Sequence, residues 1–386
     1  MSKEERVTRR SQKKNKQKGK KKFLIPAFIL LLLLGGGAAL GAYLHSQAPV
    51  EEPIEETEVA KEPEKEEPEE VKPVNFLTGL PVDSEKIADM RPVAVMVSNI
   101  GASMPQNGIG SADVIFEIPV EGGATRLMVV FGNQETIPAL TPVRSARMYF
   151  PILAQSLDSI YVYWGSHPAI FDPLHSMLGE ERFDGALNTG GLYGRDQGRL
   201  AAGVPLEHTG IFDGTRFREV ALDMEIRLDR PEDSPKTAFV FHEGDELKQP
   251  SANKATIINI NFSGTTADFT FDEEHRVYRK DFNGTPHIDG ATGKQLEFTN
   301  VFVLETDILV NAVGHNEFAF SGSGFYFSDG AFERIRWEKN DRLQFFTEDG
   351  KEIEINRGKS YIGITRVGGT GIQPAPQEEY QEDAAE

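Results

Sequence analysis

Two apolar, strand-like runs joined by a glycine turn constrain the fold of this chain more than any other stretch. They lie within residues 111–150, SADVIFEIPVEGGATRLMVVFGNQETIPALTPVRSARMYF. Apolar runs of this length, bounded by turn residues, predict buried strands. The same stretch holds Arg126, Arg144 and Arg147. Because a guanidinium close to apolar strands needs a partner, these arginines predict either an anionic ligand or structural carboxylates.

The N-terminal 44 residues have the composition of a membrane anchor. Residues 1–22 contain eleven Lys and Arg against two Glu, and residues 23–44 form an uncharged, largely apolar run. At about 1.5 Å per residue, such a run crosses a hydrocarbon core about 30 Å thick. We therefore expect one transmembrane helix over 23–44, with a basic cytoplasmic tail before it and extracytoplasmic domains after it. A cleaved signal peptide is the alternative interpretation.

Two acidic segments flank the part of the chain that is expected to fold. Residues 45–73 are rich in Glu and Pro, and residues 371–386 are acidic and poor in apolar side chains. Both are predicted to be disordered, because they bury too little apolar surface to offset the entropy of ordering. The net charge of −19 lies mainly in the body of the chain. An acidic body argues against a nucleic-acid partner.

The region between these segments changes character at its middle. Residues 74–235 alternate apolar strand-like runs with helix-like segments, which predicts an α/β domain. The strands and helices expected there cover 91–99, 113–119, 125–131, 147–157, 159–164 and 215–224. Residues 165–181 are expected to be a loop with one helical turn at most. Residues 236–370 consist of short β runs between NG, DG and similar turns, which predicts a β-rich domain. Its aromatic side chains are expected mainly in the core, with a sugar-stacking face as the alternative.

Three blocks of sequence resemble a known family. They are ADVIFEIPVEGGATRLMVVF at 112–131, TPVRSARMYF at 141–150 and PLEHTGIF at 205–212. Together they are similar to the YerB-type family of bacterial envelope proteins, a two-part domain of unknown function found in lipoproteins. The resemblance covers most of residues 75–365 and implies an envelope location, a two-part architecture and no established reaction. The chain departs from the lipoprotein pattern because it has no cysteine to carry a lipid, and the predicted transmembrane helix replaces that anchor.

The arginines of the opening stretch are the centre of a predicted anion cradle. Its members are Arg126, Arg144, Ser145, Arg147, Arg195 and His208. Backbone N–H groups at a helix start after Ser145 are expected to add donors, and Arg199 is a further candidate. Guanidinium and amide donors suit a phosphate or carboxylate. Glu117 and Glu121 are expected as supporting carboxylates, and pairing with them is the competing explanation of the arginines.

Other chemistries have weaker support in the sequence. His167, Asp172 and His175 lie close together, but two prolines argue against one helix face that would present them to a metal. No HExxH or comparable ligand spacing occurs, so no metal site is expected. Ser145 lacks the GxSxG context of a nucleophile and an assignable histidine, and a helix N-cap is the preferred role.

The sequence therefore predicts a membrane-anchored, extracytoplasmic protein whose arginines bind an anionic cell-wall polymer or an envelope protein partner. No cofactor is expected. The alternative is an enzyme acting on lipid-pyrophosphate-linked or glycan cell-wall polymers. In that case Glu117 and Glu121 would serve as an acid–base pair, or the arginines would stabilise a phosphoryl transfer.

Overall fold

The computed structural model describes residues 72–373, a range that contains many strands and a few short helices. The helices are α1 (Glu85–Ala88), α2 (Tyr149–Gln155), α3 (Phe171–Leu178), α4 (Gln197–Ala201) and α5 (Phe217–Asp223). Within residues 72–373, none of the helices combines the length and the apolar character that crossing a membrane requires. The predicted basic tail, the predicted transmembrane helix, residues 45–71 of the predicted linker and residues 374–386 lie outside the described range.

The strands of the first part follow the apolar runs of the sequence. They are β1 (Val93–Asn99), β2 (Val114–Pro119), β3 (Thr125–Phe131), β4 (Ala139–Leu140), β5 (Ile160–Tyr163), β6 (Phe183–Asp184), β7 (Tyr193–Arg195) and β8 (Gly210–Asp213). The four strands predicted in this part are thus confirmed as β1, β2, β3 and β5. The predicted helices correspond to α2 and α5, which bury apolar residues at helical spacing.

The second part is built of strands. They are β9 (Ile257–Asn261), β10 (Thr266–Asp272), β11 (Val277–Phe282), β12 (Thr285–Pro286), β13 (Glu297–Phe298), β14 (Asn300–Thr306), β15 (Ile308–Val310), β16 (Asn316–Phe318), β17 (Ser321–Ser328), β18 (Ala331–Lys339), β19 (Leu343–Phe346), β20 (Ser360–Arg366) and β21 (Thr370–Gln373). A mixed α/β N-terminal region followed by a β-rich C-terminal region was predicted and is confirmed.

A ten-stranded sheet joins the two parts. Its strand order is β19-β18-β17-β14-β20-β2-β3-β1-β5-β6. The junction is the parallel pairing of β20 with β2, in register Val114↔Ser360. Residues 72–373 accordingly lie in one compact unit. This sheet runs across the predicted boundary at 235/236, which marks a change of composition in the sequence.

Both faces of the central sheet are covered, which explains why β1, β2 and β3 are apolar along their whole length. One face, which includes Val97 and Leu127, packs against a second sheet of order β12-β11-β10-β9-β21. The other face, which includes Met96 and Met128, packs against α2. Aromatic side chains of the second part fill the core, as predicted; the rings of Phe302 and Phe345, for example, stack at 4.3 Å.

Two local predictions were wrong. Residues 171–178 form α3 instead of a loop, because Pro173 lies in the first helical turn, where its missing N–H removes no helical hydrogen bond. The predicted disordered tail begins too early, because Gly371–Gln373 belong to β21. That strand pairs with β9 and covers an edge that would otherwise be open.

Candidate functional site

The site lies at the carboxyl ends of the parallel strands β1 and β5. Residues 142–146 enter between these strands where the strands diverge. The Arg144 N–H donates to Met96 O of β1 (3.0 Å), and the Ala146 N–H donates to Gly165 O after β5 (3.0 Å). In open α/β sheets, the carboxyl ends of diverging parallel strands are where ligands bind. The prediction that backbone N–H groups at a helix start after Ser145 serve as donors is wrong. The helix α2 begins only at Tyr149, and the Ala146 N–H donates to Gly165 O after β5.

Arg126 projects from β3 toward this inserted segment. Its side chain is 7 % exposed, and its Nη1 donates to Ser145 O. Arg144 Nη1 donates to Glu207 O (2.5 Å). The buried Arg144 Nε has no hydrogen-bond partner within residues 72–373. We call Arg126, Arg144 and Arg147 the arginine cluster.

Arg147 is the member of the arginine cluster that pairs with a carboxylate of the described residues 72–373. Its Nε lies 2.7 Å from Glu121 Oε1 and its Nη2 lies 2.7 Å from Glu121 Oε2, a two-point pairing. Burial alone would raise the pKa of Glu121, but the hydrogen bonds and charge of Arg147 outweigh burial and lower that pKa. The prediction that Glu121 supports the arginines is therefore matched by a direct contact.

The cluster carries more positive charge than its surroundings neutralise. Burial, reinforced by the charges of Arg147 and Arg144, lowers the pKa of Arg126 to about 9. Burial also lowers the pKa of Arg144, although Glu207, which is exposed, acts in the opposite direction. Glu121 is already engaged by Arg147. The arrangement therefore leaves buried cationic donors available for an anion.

His208 lies beside the arginine cluster on a short turn after α4. Its Nδ1 is 3.2 Å from Ser103 Oγ and 3.4 Å from Ser98 Oγ. Ser98 is the cross-strand partner of Arg126, so both side chains point to one face of the sheet. Burial, and then the charge of Arg144, lower the pKa of His208.

Arg195 makes different contacts from the other residues of the predicted anion cradle. Its guanidinium stacks on Trp164 at 4.1 Å and donates to Leu206 O (2.7 Å). Leu206 begins the turn that carries His208, so Arg195 braces that turn. Ser145 is not a helix N-cap, because the N-cap of α2 is Met148. Ser145 instead contributes its carbonyl oxygen to Arg126.

Glu117 was wrongly assigned to the arginines. In the β2–β3 register Glu117 faces Leu127, whereas Arg126 faces Ile118. Because neighbouring residues of a strand point to opposite faces, Glu117 lies on the other side of the sheet from Arg126. There it is fully buried, with its Oε2 3.2 Å from Lys280 Nζ. Glu117 and Glu121 consequently do not form an acid–base pair.

Matches to family models decide the classification of the chain. Residues 77–223 match "Protein of unknown function (DUF3048) N-terminal domain", and residues 258–362 match the C-terminal domain of the same family. The chain belongs to the DUF3048 family. The DUF3048 chain is 26 % identical over 301 residues to "Putative lipoprotein YerB" of Bacillus subtilis (strain 168), which covers 75 % of this chain and 85 % of that protein.

A solved relative shows the same fold. The crystal structure of YerB from Bacillus subtilis superimposes with a TM-score of 0.66 at 25 % identity, and the match covers 78 % of the DUF3048 chain and 99 % of that structure. The resemblance to the YerB-type family, with its two-part domain of unknown function, is thereby confirmed.

Two histidines lie near the arginine cluster, although the sequence did not predict them as members of the site. His315 Nε2 lies 3.8 Å from Glu121 Oε1, and the His167 ring meets the His315 ring edge to face at 4.7 Å. His315 lies between β15 and β16, far along the chain, and no spacing in the sequence links it to Glu121. Within residues 72–373 no group of three His, Asp or Glu side chains is arranged to hold a metal ion.

Proposed function

We propose that this DUF3048 protein is a membrane-anchored envelope protein that binds an anionic cell-wall component through the arginine cluster. The observation that carries the proposal is Arg126. It is a buried cation that lies beside two like charges and donates a side-chain hydrogen bond to the Ser145 carbonyl oxygen. An unpaired buried charge is costly to folding, and such groups concentrate at functional sites.

The chemistry of the neighbours supports a phosphate or a carboxylate as the anion. Among the described residues, Arg144 has a buried N–H without a hydrogen-bond partner. When the ring hydrogen of His208 lies on Nε2, its Nδ1 accepts a hydrogen bond from the Ser103 hydroxyl, and Nε2–H is the donor that the ring offers. Guanidinium donors form short, charge-assisted hydrogen bonds with such oxyanions.

The location in the envelope has separate support. The apolar run at 23–44 and the basic residues before it are typical of an anchor with extracytoplasmic domains behind it. The relative in Bacillus subtilis carries the name "Putative lipoprotein YerB", which fits a protein held at the membrane. The acidic segment 45–73 would act as a spacer, giving the folded unit access to wall polymers or to an envelope protein partner.

Titration of the full chain with inorganic phosphate and with poly(glycerol phosphate) tests the proposal. Arg126→Met and Arg144→Met should each weaken binding by about 10- to 100-fold, the equivalent of one charge-assisted hydrogen bond. Arg227→Met is the matched control, because Arg227 is an exposed arginine paired with Asp158 at 2.6 Å. The proposal fails if wild type binds neither probe, or if the cluster variants bind as tightly as the control.

A further inference from the structure

A glutamate and a lysine form an ion pair between the central sheet and the second sheet. Glu117 lies on β2, Lys280 lies on β11, and both side chains are fully buried. The Lys280 Nζ is 3.2 Å from Glu117 Oε2. The ring centres of Phe269 and Tyr361 lie 5.9 and 5.7 Å from that nitrogen. Burying two charges in such surroundings is costly, and a reaction that removes both charges relieves that cost.

Hydrogen-bond donors surround the Glu117 carboxylate in an arrangement that suits attack on its carbon. Oε1 accepts from Asn99 Nδ2 (2.8 Å) and from Thr125 Oγ1 (2.8 Å). Oε2 accepts from the Tyr361 hydroxyl (2.9 Å). Donors on a carboxyl oxygen stabilise the negative charge that develops there when a nucleophile adds to the carbon. Oε1 is therefore placed to hold that charge, and Oε2, beside the lysine, is placed to leave.

His287 supplies a base in contact with the Lys280 nitrogen. Its Nδ1 is 3.2 Å from Lys280 Nζ, and its Nε2 is 3.0 Å from Gln106 Oε1. The Gln106 amide nitrogen is used in donating to Ser98 O and Asn99 Oδ1, so Oε1 is the atom that faces His287. Because an amide oxygen only accepts hydrogen bonds, the ring hydrogen lies on Nε2 and the lone pair of Nδ1 faces Nζ. Nδ1 is thus positioned to accept a proton from the lysine.

We propose that Lys280 and Glu117 condense into an intramolecular amide that joins the two sheets covalently. Proton transfer from Nζ to Oε2 turns the ion pair into an amine and a carboxylic acid. The Nζ lone pair then attacks Cδ, and the electron pair of the C–O double bond moves onto Oε1. Oε2 receives a second proton from the nitrogen, with His287 Nδ1 as the relay. The Cδ–Oε2 bond breaks, one water leaves, and one hydrogen remains on the amide nitrogen.

This reaction needs no ligand and no route from solvent, because the reacting groups already touch. Well-oriented groups of one molecule react as if their concentration were about 10⁵–10⁸ M. The ion pair is the starting state, so newly folded protein contains the ion pair and the amide accumulates afterwards. Glu117 and Arg126 lie on opposite faces of the sheet. The cross-link is therefore independent of anion binding by the arginine cluster.

Intact mass measurement of the purified full chain in detergent tests the cross-link. The wild-type chain should be lighter than its sequence by the mass of one water, either at once or after several days of incubation. A protease digest should contain a linked pair of peptides in which Glu117 is joined to Lys280. The extent of the reaction should not depend on protein concentration, because both groups belong to one chain.

Two lysine variants provide the matched comparison. Lys280→Arg keeps a positive charge but replaces the primary amine by a guanidinium, so its mass should show no loss of water. Lys359→Arg is the control, because Lys359 is a half-buried lysine that donates to Gly110 O and takes no part in the reaction. Should Lys280→Arg fail to fold, the wild-type mass and the linked peptides still decide the question.

The possible results are distinct. Loss of one water with the Glu117–Lys280 linked pair, in wild type and in Lys359→Arg, supports the proposal. A wild-type mass that stays at the value of the sequence overturns it. Loss of one water without that linked pair also overturns it, because a dehydration elsewhere then accounts for the mass. Loss of one ammonia, with Lys280 joined to Asn99, overturns Glu117 as the acceptor.

Discussion

Replacing Arg126 by methionine should stabilise the ligand-free protein. Lowering the pKa of Arg126 from 12.5 to about 9 corresponds to an unfavourable free energy of about 5 kcal/mol for the charged form. This is an upper bound, because relaxation and water penetration reduce such penalties. The substitution also loses the hydrogen bond to Ser145 O, which offsets about 1.5–3 kcal/mol of this gain in stability. We expect the free energy of unfolding to rise by about 1–3 kcal/mol.

Arg91→Met provides the opposite case in the same protein. Arg91 is equally buried, but it forms a two-point ion pair with Glu181 at 2.9 Å and donates to Asp158 O (3.0 Å). Breaking such a pair costs about 3–5 kcal/mol when the remaining charge stays buried. Because Glu181 is 38 % exposed, solvent reduces the cost, and we expect a loss of about 2–4 kcal/mol.

Urea unfolding in phosphate-free buffer measures both effects. The chain has two tryptophans, and Trp337 is buried, so its fluorescence reports unfolding of the core. Adding inorganic phosphate should stabilise wild type and narrow its gap to Arg126→Met, because an anion that binds only the folded state shifts the equilibrium. If Arg126→Met is destabilised as much as Arg91→Met, Arg126 is a structural residue and the reasoning is wrong.

Two further predictions concern the buried polar groups on the other side of the sheet. Burial, then the charge of Lys280, lower the pKa of His287 well below its ordinary 6.5. The unfolded chain therefore binds the extra proton more readily than the folded chain does. As the pH falls below 6.5, the free energy of unfolding should decrease by up to about 1.4 kcal/mol per pH unit. Urea titrations at several pH values should show a flatter decrease for His287→Gln. Lys280→Met should lower the free energy of unfolding by about 3–5 kcal/mol, because it leaves Glu117 buried without its partner. The double variant Lys280→Met/Glu117→Gln should lose at least about 1 kcal/mol less than the sum of the two single variants.

Strands and helices were predicted well from the sequence where the burial of the element itself sets its pattern of apolar residues. The strands β1, β2 and β3 are buried on both faces, and a continuous apolar run records that burial. The pairing of β20 with β2 leaves no such record, because periodicity reports burial and not the identity of a neighbouring strand. The union of the two parts in one sheet was therefore not predictable from periodicity.

The error at Glu117 came from treating proximity in sequence as proximity in space. Glu117 and Glu121 are only four residues apart, yet one pairs with Lys280 and the other with Arg147. The turn at 120–124 sets the register of β2 and β3, and that register places Glu117 opposite Leu127. A strand alternates its faces at every residue, so Arg126 must point away from Glu117. The register alone removes one of the two carboxylates assigned to the arginines, and this is why Arg126 has no carboxylate partner among residues 72–373.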